Sequence, residues 1–157
     1  MKSVALRSVV TDREAPYLIV LHTAQAPDAE EWRNCIAAGE AAAATARGTL
    51  HAFVITDGGG PDSKQRKELA KAIAGLGVHL SAHVFTNSAR VRGISTALRW
   101  MNLSTPDVYR PGEFAALCAD VRVSPSHVLR ECFALQAELP PIALLEQIAA
   151  AHLRGSH

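Results

Sequence analysis

Apolar and polar residues alternate in short runs at the start of the chain and later recur at helical spacing, and this change of period maps the elements. Val4 to Val10 and Tyr17-Leu18-Ile19-Val20-Leu21 read as strands. The polar turn Thr11 to Pro16 between them is short, so the pair forms an antiparallel hairpin. Pro27-Asp28-Ala29-Glu30-Glu31 opens a helix, with Asp28 as N-cap and Glu31 as its capping-box partner. Trp32, Ile36, Gly39 and Ala43 give that helix one inward face, and Gly48 ends it. A strand over His51 to Thr56 runs through Asp57-Gly58-Gly59-Gly60-Pro61 into a helix starting near Asp62. There Leu69, Ile73 and Leu76 face inward, Lys64, Arg66, Lys67 and Lys71 lie on the outer parts, and Gly75 and Gly77 close the helix. Val78 to Thr86 is a third core strand. Asn87-Ser88 caps a helix with the stripe Val91, Ile94, Leu98 and Met101. A short strand, Asp107-Val108-Tyr109, precedes a helix with Phe114, Leu117, Cys118 and Val121 on one face.

Strand and helix therefore alternate after the hairpin. The expected fold is α/β: a mostly parallel central sheet with an N-terminal antiparallel hairpin strand, helices covering it through right-handed crossovers, and a C-terminal helical pair. One α/β domain occupies residues 1–122 and a helical extension residues 123–154, while 155–157 read as a tag remnant. Ser124-Pro125-Ser126 starts the first added helix, Pro140-Pro141 breaks it, and Ile142 to Leu153 forms the second. Leu129, Cys132 and Phe133 on the first, with Leu145 and Ile148 on the second, need a surface to cover. That surface is either the open face of this sheet or another protomer, so the alternatives are packing in cis and self-association.

Composition narrows the function classes. The 157 residues suit one domain with a proper core. Lys and Arg total 16 against 15 for Asp and Glu, a formal net charge of +1, which is no footprint for a nucleic-acid binder or a polybasic membrane ligand. No apolar run approaches the roughly 20 residues of a membrane span, and Met1 to Val10 lacks the apolar core of a signal peptide. Cys35, Cys118 and Cys132 lie far apart, without the spacing of a zinc or redox site, and read as small buried residues in a reducing, cytoplasmic setting.

The chemistry concentrates on Asp57-Gly58-Gly59-Gly60-Pro61-Asp62-Ser63-Lys64. A Gly-rich turn lets backbone N–H groups converge, and a helix N-terminus favours negative charge. The run is neither a nucleotide P-loop, since Ser63 precedes Lys64 with no Gly before the Lys, nor a dinucleotide fingerprint. In open α/β sheets ligands sit beyond the carboxyl ends of the strands. That edge gathers His22-Thr23, the Gly-rich run, and Asn87-Ser88 with Arg90 and Arg92. Asp57, Gly58, Gly59, Gly60, Asp62, Lys64, Asn87, Ser88 and Arg90 are thus candidates to bind an anion or a partner, although Asp62, Asn87 and Ser88 also suit plain capping. His79 and His83 share a strand face about 13 Å apart, too far to hold one zinc ion, and should pack on a helix or hydrogen-bond across strands. Ser63 has no nucleophile elbow. No catalytic residue, metal site or cofactor is indicated.

The element order resembles the STAS domain of anti-sigma-factor antagonists and sulphate-transporter tails, over roughly Val4 to Val121. The resemblance rests on the hairpin into Leu18-Ile19-Val20-Leu21, on Phe53-Val54-Ile55-Thr56 running into Asp62-Ser63, and on Val84-Phe85-Thr86-Asn87-Ser88. Asp107-Val108-Tyr109-Arg110-Pro111-Gly112-Glu113-Phe114 is similar to the family's final strand and helix. The resemblance implies that Ser63, placed after Asp62 at a helix start, is a phosphorylation switch. Lys64-Gln65-Arg66 after Ser63, and three glycines with a proline before Asp62, depart from the family's pattern. The function expected is a non-enzymatic regulatory or protein-interaction module with a protein partner. The alternative is a small-molecule or anion-binding protein holding a lipid-like or nucleotide-like ligand at the carboxyl edge.

Overall fold

The computed structural model describes residues 2–89, 91–93 and 107–155. The strands are β1 (Val4–Val9), β2 (Tyr17–His22), β3 (Thr49–Thr56), β4 (His79–Thr86) and β5 (Asp107–Tyr109). The helices named here are α1 (Ala29–Thr45), α2 (Ser63–Ala74), α3 (Phe114–Asp120), α4 (Pro125–Gln136) and α5 (Ala143–Gly155). Residues 91–93 are helical. The remainder of the helix expected to run to Met101, with Ile94, Leu98 and Arg90, lies outside the described residues.

One mixed sheet runs in the order β1-β2-β3-β4-β5. β1 pairs antiparallel with β2 as the short turn requires, and every other pairing is parallel. Because the parallel strands advance in one direction across the sheet, right-handed crossovers put α1 and α2 on the same face. The C-terminal helices α3, α4 and α5 take the other. The pleat divides the side chains accordingly. Ala5, Val9, Tyr17, Ile19, Leu21, Phe53, Ile55 and Phe85 meet α3–α5, whereas Leu18, Leu50 and Ala52 turn toward α1 and α2.

The two faces are packed very differently. On the C-terminal-helix side Phe53, Ile55, Phe85, Ile142, Leu145 and Ile148 are each 0% exposed. Rings pack edge to face there, with Phe114 wedged between Phe53 and Phe85 at centroid separations of 6.3 and 5.6 Å. In this structure the added helices pack on the sheet of their own chain. Phe133 departs from expectation and stays 39% exposed. The inward stripe of α4 is Val128, Leu129, Cys132 and Leu135, and Phe133 falls off that phase.

Local signals account for most boundaries. Asp28 and Glu31 form the expected capping box on α1. Glu31 also receives the Ser3 amide at 2.7 Å and the Ser3 hydroxyl at 2.6 Å, tying the start of β1 to the helix. Burial works against the Glu31 charge, yet these hydrogen bonds outweigh it and hold its pKa below the usual carboxylate value. α1 ends at Thr45 rather than Gly48, because Ala46 is already extended. Gly48, at φ +73°, instead turns the chain into β3. On the far side Glu14 of the hairpin turn accepts the Ser124 amide at 2.7 Å, and Arg7 pairs with Glu131 at 3.1 Å, fixing α4 across β1 and β2.

Candidate functional site

The carboxyl edge of the sheet assembles much as its residues suggest, but the fold itself takes up most of their polar groups. Asp62 caps α2 by accepting the Gln65 amide at 2.8 Å, and Gln65 returns the bond to the Asp62 amide at 2.9 Å. This capping box is readable as Asp-x-x-Gln, with Gln65 the residue that sequence reasoning missed. Ser63 is exposed in the first turn, followed by exposed Lys64, Lys67 and Lys71 on one side of the helix. Arg66 folds back onto the Pro61 carbonyl at 3.2 Å.

The glycine run serves close packing. The Gly58 amide donates to the Thr56 hydroxyl at 3.0 Å, and the Gly59 amide to the Thr23 carbonyl at 2.8 Å. The first thus turns back onto the end of β3 and the second binds the loop between β2 and α1. Asp57 leaves the loop altogether: its two carboxylate oxygens accept the Ala143 and Leu144 amides at 2.7 and 2.9 Å. A carboxylate thus sits at the N-terminus of α5, where the helix dipole and unsatisfied amides favour it. Asn87 donates to Gln147 at 3.0 Å, and the Ser88 hydroxyl accepts the Val91 amide at 3.3 Å. Asp57, Asn87, Ser88, Ala143, Leu144 and Gln147 line a shallow cleft of about 430 Å3 with a mixed polar and apolar surface. Gln147 and Ala143 lay beyond sequence reasoning, since only the tertiary fold brings α5 to this edge. Arg90 lies outside the described residues, as does Met101. Asp57→Ala should lower stability by about 1–2 kcal/mol, in the range of a lost N-cap, and speed hydrogen exchange at Ala143 and Leu144. Unchanged exchange at those two amides would contradict the capping role.

A second space lies between the sheet and α1 and α2. Leu6, Val20, Val54, Leu80 and Ala82 are only half-buried beneath these helices, and Ile36, Leu69, Ile73 and Leu76 above them are half-buried too. They surround a cavity of about 190 Å3 with an almost wholly apolar lining. His22, at the end of β2, lines it and is 5% exposed. Its Nδ1 has no hydrogen-bond partner. Trp32 stands beside it, ring centroids 6.3 Å apart, with its own indole N–H donating to the Gln65 carbonyl at 3.0 Å. Cys35 also lines the cavity, and burial pushes its thiol up to about 11, so it stays protonated.

Burial pushes the His22 pKa down to about 4, the nearby Glu31 charge offsetting only part of that cost. Unfolded His22 takes up a proton near pH 6.5 and folded His22 only near pH 4, so between these values the unfolded chain binds more protons. Stability should fall as pH drops through that window, by about 3 kcal/mol in full at 1.36 kcal/mol per pH unit. Urea titrations at pH 7 and pH 4.5 should show this loss, and His22→Phe should remove most of it. His51 and His83 are lowered in the same direction, by burial first and by neighbouring histidines second, and supply the remainder.

Those two histidines meet across β3 and β4, with His51 Nδ1 2.9 Å from His83 Nε2. The expected cross-strand hydrogen bond of His83 is therefore formed, with His51 as partner, while His79 is exposed. Among the described residues no three His, Cys, Asp or Glu side chains gather to hold a metal ion. No described helix is long and apolar enough to cross a membrane. No protein-family model matches the chain, and neither the curated proteins nor the solved structures offer a match. The fold defines the class: an α/β protein with a mixed five-stranded sheet covered on both faces by helices.

Proposed function

We propose that this chain is a non-enzymatic regulatory module of STAS-like layout, which meets a protein partner through the first turns of α2 and is switched at Ser63. The observation that carries the reading is the placement of Ser63. It is exposed, opens α2 directly after the capping Asp62, and begins the face that carries Lys64, Lys67 and Lys71. Such a face suits an acidic partner surface. A phosphoryl group adds about −1.5 to −2 charges at pH 7, enough to cancel most of the local positive charge and weaken that preference. It would also sit where a helix N-terminus tolerates negative charge. An anion pocket at the neighbouring cleft is the weaker reading, because Asp57 already occupies the N-terminus of α5.

Ser63→Ala should change stability by less than about 0.5 kcal/mol, since Asp62 and not Ser63 caps the helix. Peptide mass spectrometry of the protein from its own host should find a phosphoryl increment on Ser63, absent from Ser63→Ala. Persistent absence of that increment across growth conditions removes the switch.

A further inference from the structure

We infer that His51 and His83 form an acid-released latch: at neutral pH His83 donates its one ring proton to His51, and proton uptake drives His51 out to solvent and lets water reach His83. The inference does not depend on Ser63. Burial, ring geometry and hydrogen bonding carry it together.

His83 lies within the aromatic layer of the sheet, 5% exposed, with Phe53 and Tyr109 at centroid separations of 6.0 and 5.8 Å. His51 covers it from near the amino end of β3, the two rings stacked at 5.2 Å and 22°. The His83 Nδ1 is enclosed and has no hydrogen-bond partner among the described residues. A proton there would be a donor buried without an acceptor, at a cost of about 1–3 kcal/mol. Buried donors are left unpaired more rarely than buried acceptors. The proton of neutral His83 therefore sits on Nε2, 2.9 Å from His51 Nδ1, which accepts it. His51 then carries its own proton on Nε2.

This arrangement has no place for another proton. On His83 Nδ1 it would make a buried imidazolium. On His51 Nδ1 it would set two N–H groups against each other at 2.9 Å. His51 is only half-buried, close to the exposed Thr49 and His79, so its charged ring can turn outward into water. The Ser81 hydroxyl, 3.5 Å from the same His83 Nε2, is the next acceptor. With the cover gone, water reaches His83, and Asp107 on β5 favours its charged form. His79 on β4 opposes charge on His51. The phenols of Tyr17 on β2 and Tyr109 on β5 stay neutral. Burial raises both, helped by Glu14 and Glu131 at Tyr17 and by Asp107, Glu113 and Asp120 at Tyr109. From α4, His127 meets the Tyr17 hydroxyl at 3.4 Å, and α3 presents the apolar Phe114. Release makes the two protons cooperative. Adjacent imidazoles that stay in place repel and titrate in separated steps. A latch that opens on the first proton takes up the second over the same interval.

The test is a nuclear magnetic resonance titration of the His51 and His83 rings in the full chain, from about pH 8 to about pH 4.5. At the upper end His83 Nδ1 should carry no proton. On acidification both rings should titrate together, more steeply than a single proton, while the amide spectrum stays dispersed. His51→Ala should fold as wild type by circular dichroism. Its His83 should titrate as one proton, with a midpoint raised by about half a pH unit or more. His79→Ala removes a neighbouring charge only, so the joint steep transition should persist. Two separated steps, or no proton uptake in the folded chain, overturn the latch. A protonated His83 Nδ1 at the upper end overturns the proton arrangement. A joint transition that coincides with loss of amide dispersion overturns a local release. An unmoved His83 midpoint in His51→Ala overturns the covering role of His51.

Discussion

Leu145→Asp combined with Ile148→Asp should leave an unfolded or aggregating chain and no soluble folded monomer. Both side chains are 0% exposed, packed with Ile142 and Leu144 against the aromatic face of the sheet. Truncating one such residue to alanine costs about 2–5 kcal/mol. Two carboxylates placed there without partners cost several kcal/mol more, which exceeds the roughly 5–15 kcal/mol that holds a typical domain together. Far-ultraviolet circular dichroism and size-exclusion chromatography decide the matter. A well-folded monomer would mean that this surface meets another protomer instead of the sheet. The milder Leu145→Ala should remain folded but melt earlier, which separates loss of packing from charge burial.

Gly59→Ala is the other substitution expected to be severe. A Cβ on Gly59 would lie 2.2 Å from the Gln25 carbonyl oxygen and 2.3 Å from that of Thr23. Both are backbone atoms of the adjoining loop, so no flexible side chain can yield. The loop between β3 and α2 would have to lift from the loop between β2 and α1, losing the Gly59 amide bond to Thr23. Overpacking commonly costs about 1–3 kcal/mol, and a clash with two carbonyls belongs at or above the top of that range. Gly77→Ala is the matched control, since nothing lies within 4 Å of its Cβ position, and it should be near neutral. Chemical denaturation of the pair checks the contrast. Equal midpoints would show that the glycine run is a loose turn.

What was readable in the sequence was local. The hairpin, the Asp28 and Asp62 caps, the strand over His79–Thr86 and the break at Pro140-Pro141 each depend on residues within a few positions of one another. The long-range pairings were not readable. Asp57 meets amides 86 and 87 residues away, and Asn87 meets Gln147 60 residues away, so no spacing rule reports either. Gly59 looked like one of three interchangeable glycines, and only the approach of a second loop distinguishes it. The cavity was hidden for another reason. Its volume is a difference summed over several strands and two helices, and Gly39, Ala52 and Ala82 are each unremarkable singly. His22 carried a faint signal: it continues the face of Leu18 and Val20 on β2 as a polar residue at an apolar register position.

The arrangement of all the named crossover helices on one side of the sheet has a consequence in time. Until α3, α4 and α5 have been synthesised, Tyr17, Ile19, Phe53 and Phe85 have no helix to lie against, although their strands are already made. At roughly 5–20 residues per second this interval lasts several seconds on the ribosome. The nascent chain presents a greasy half-sheet throughout it, a natural client for a holdase chaperone, and a premature stop after β5 would release that half-sheet bare.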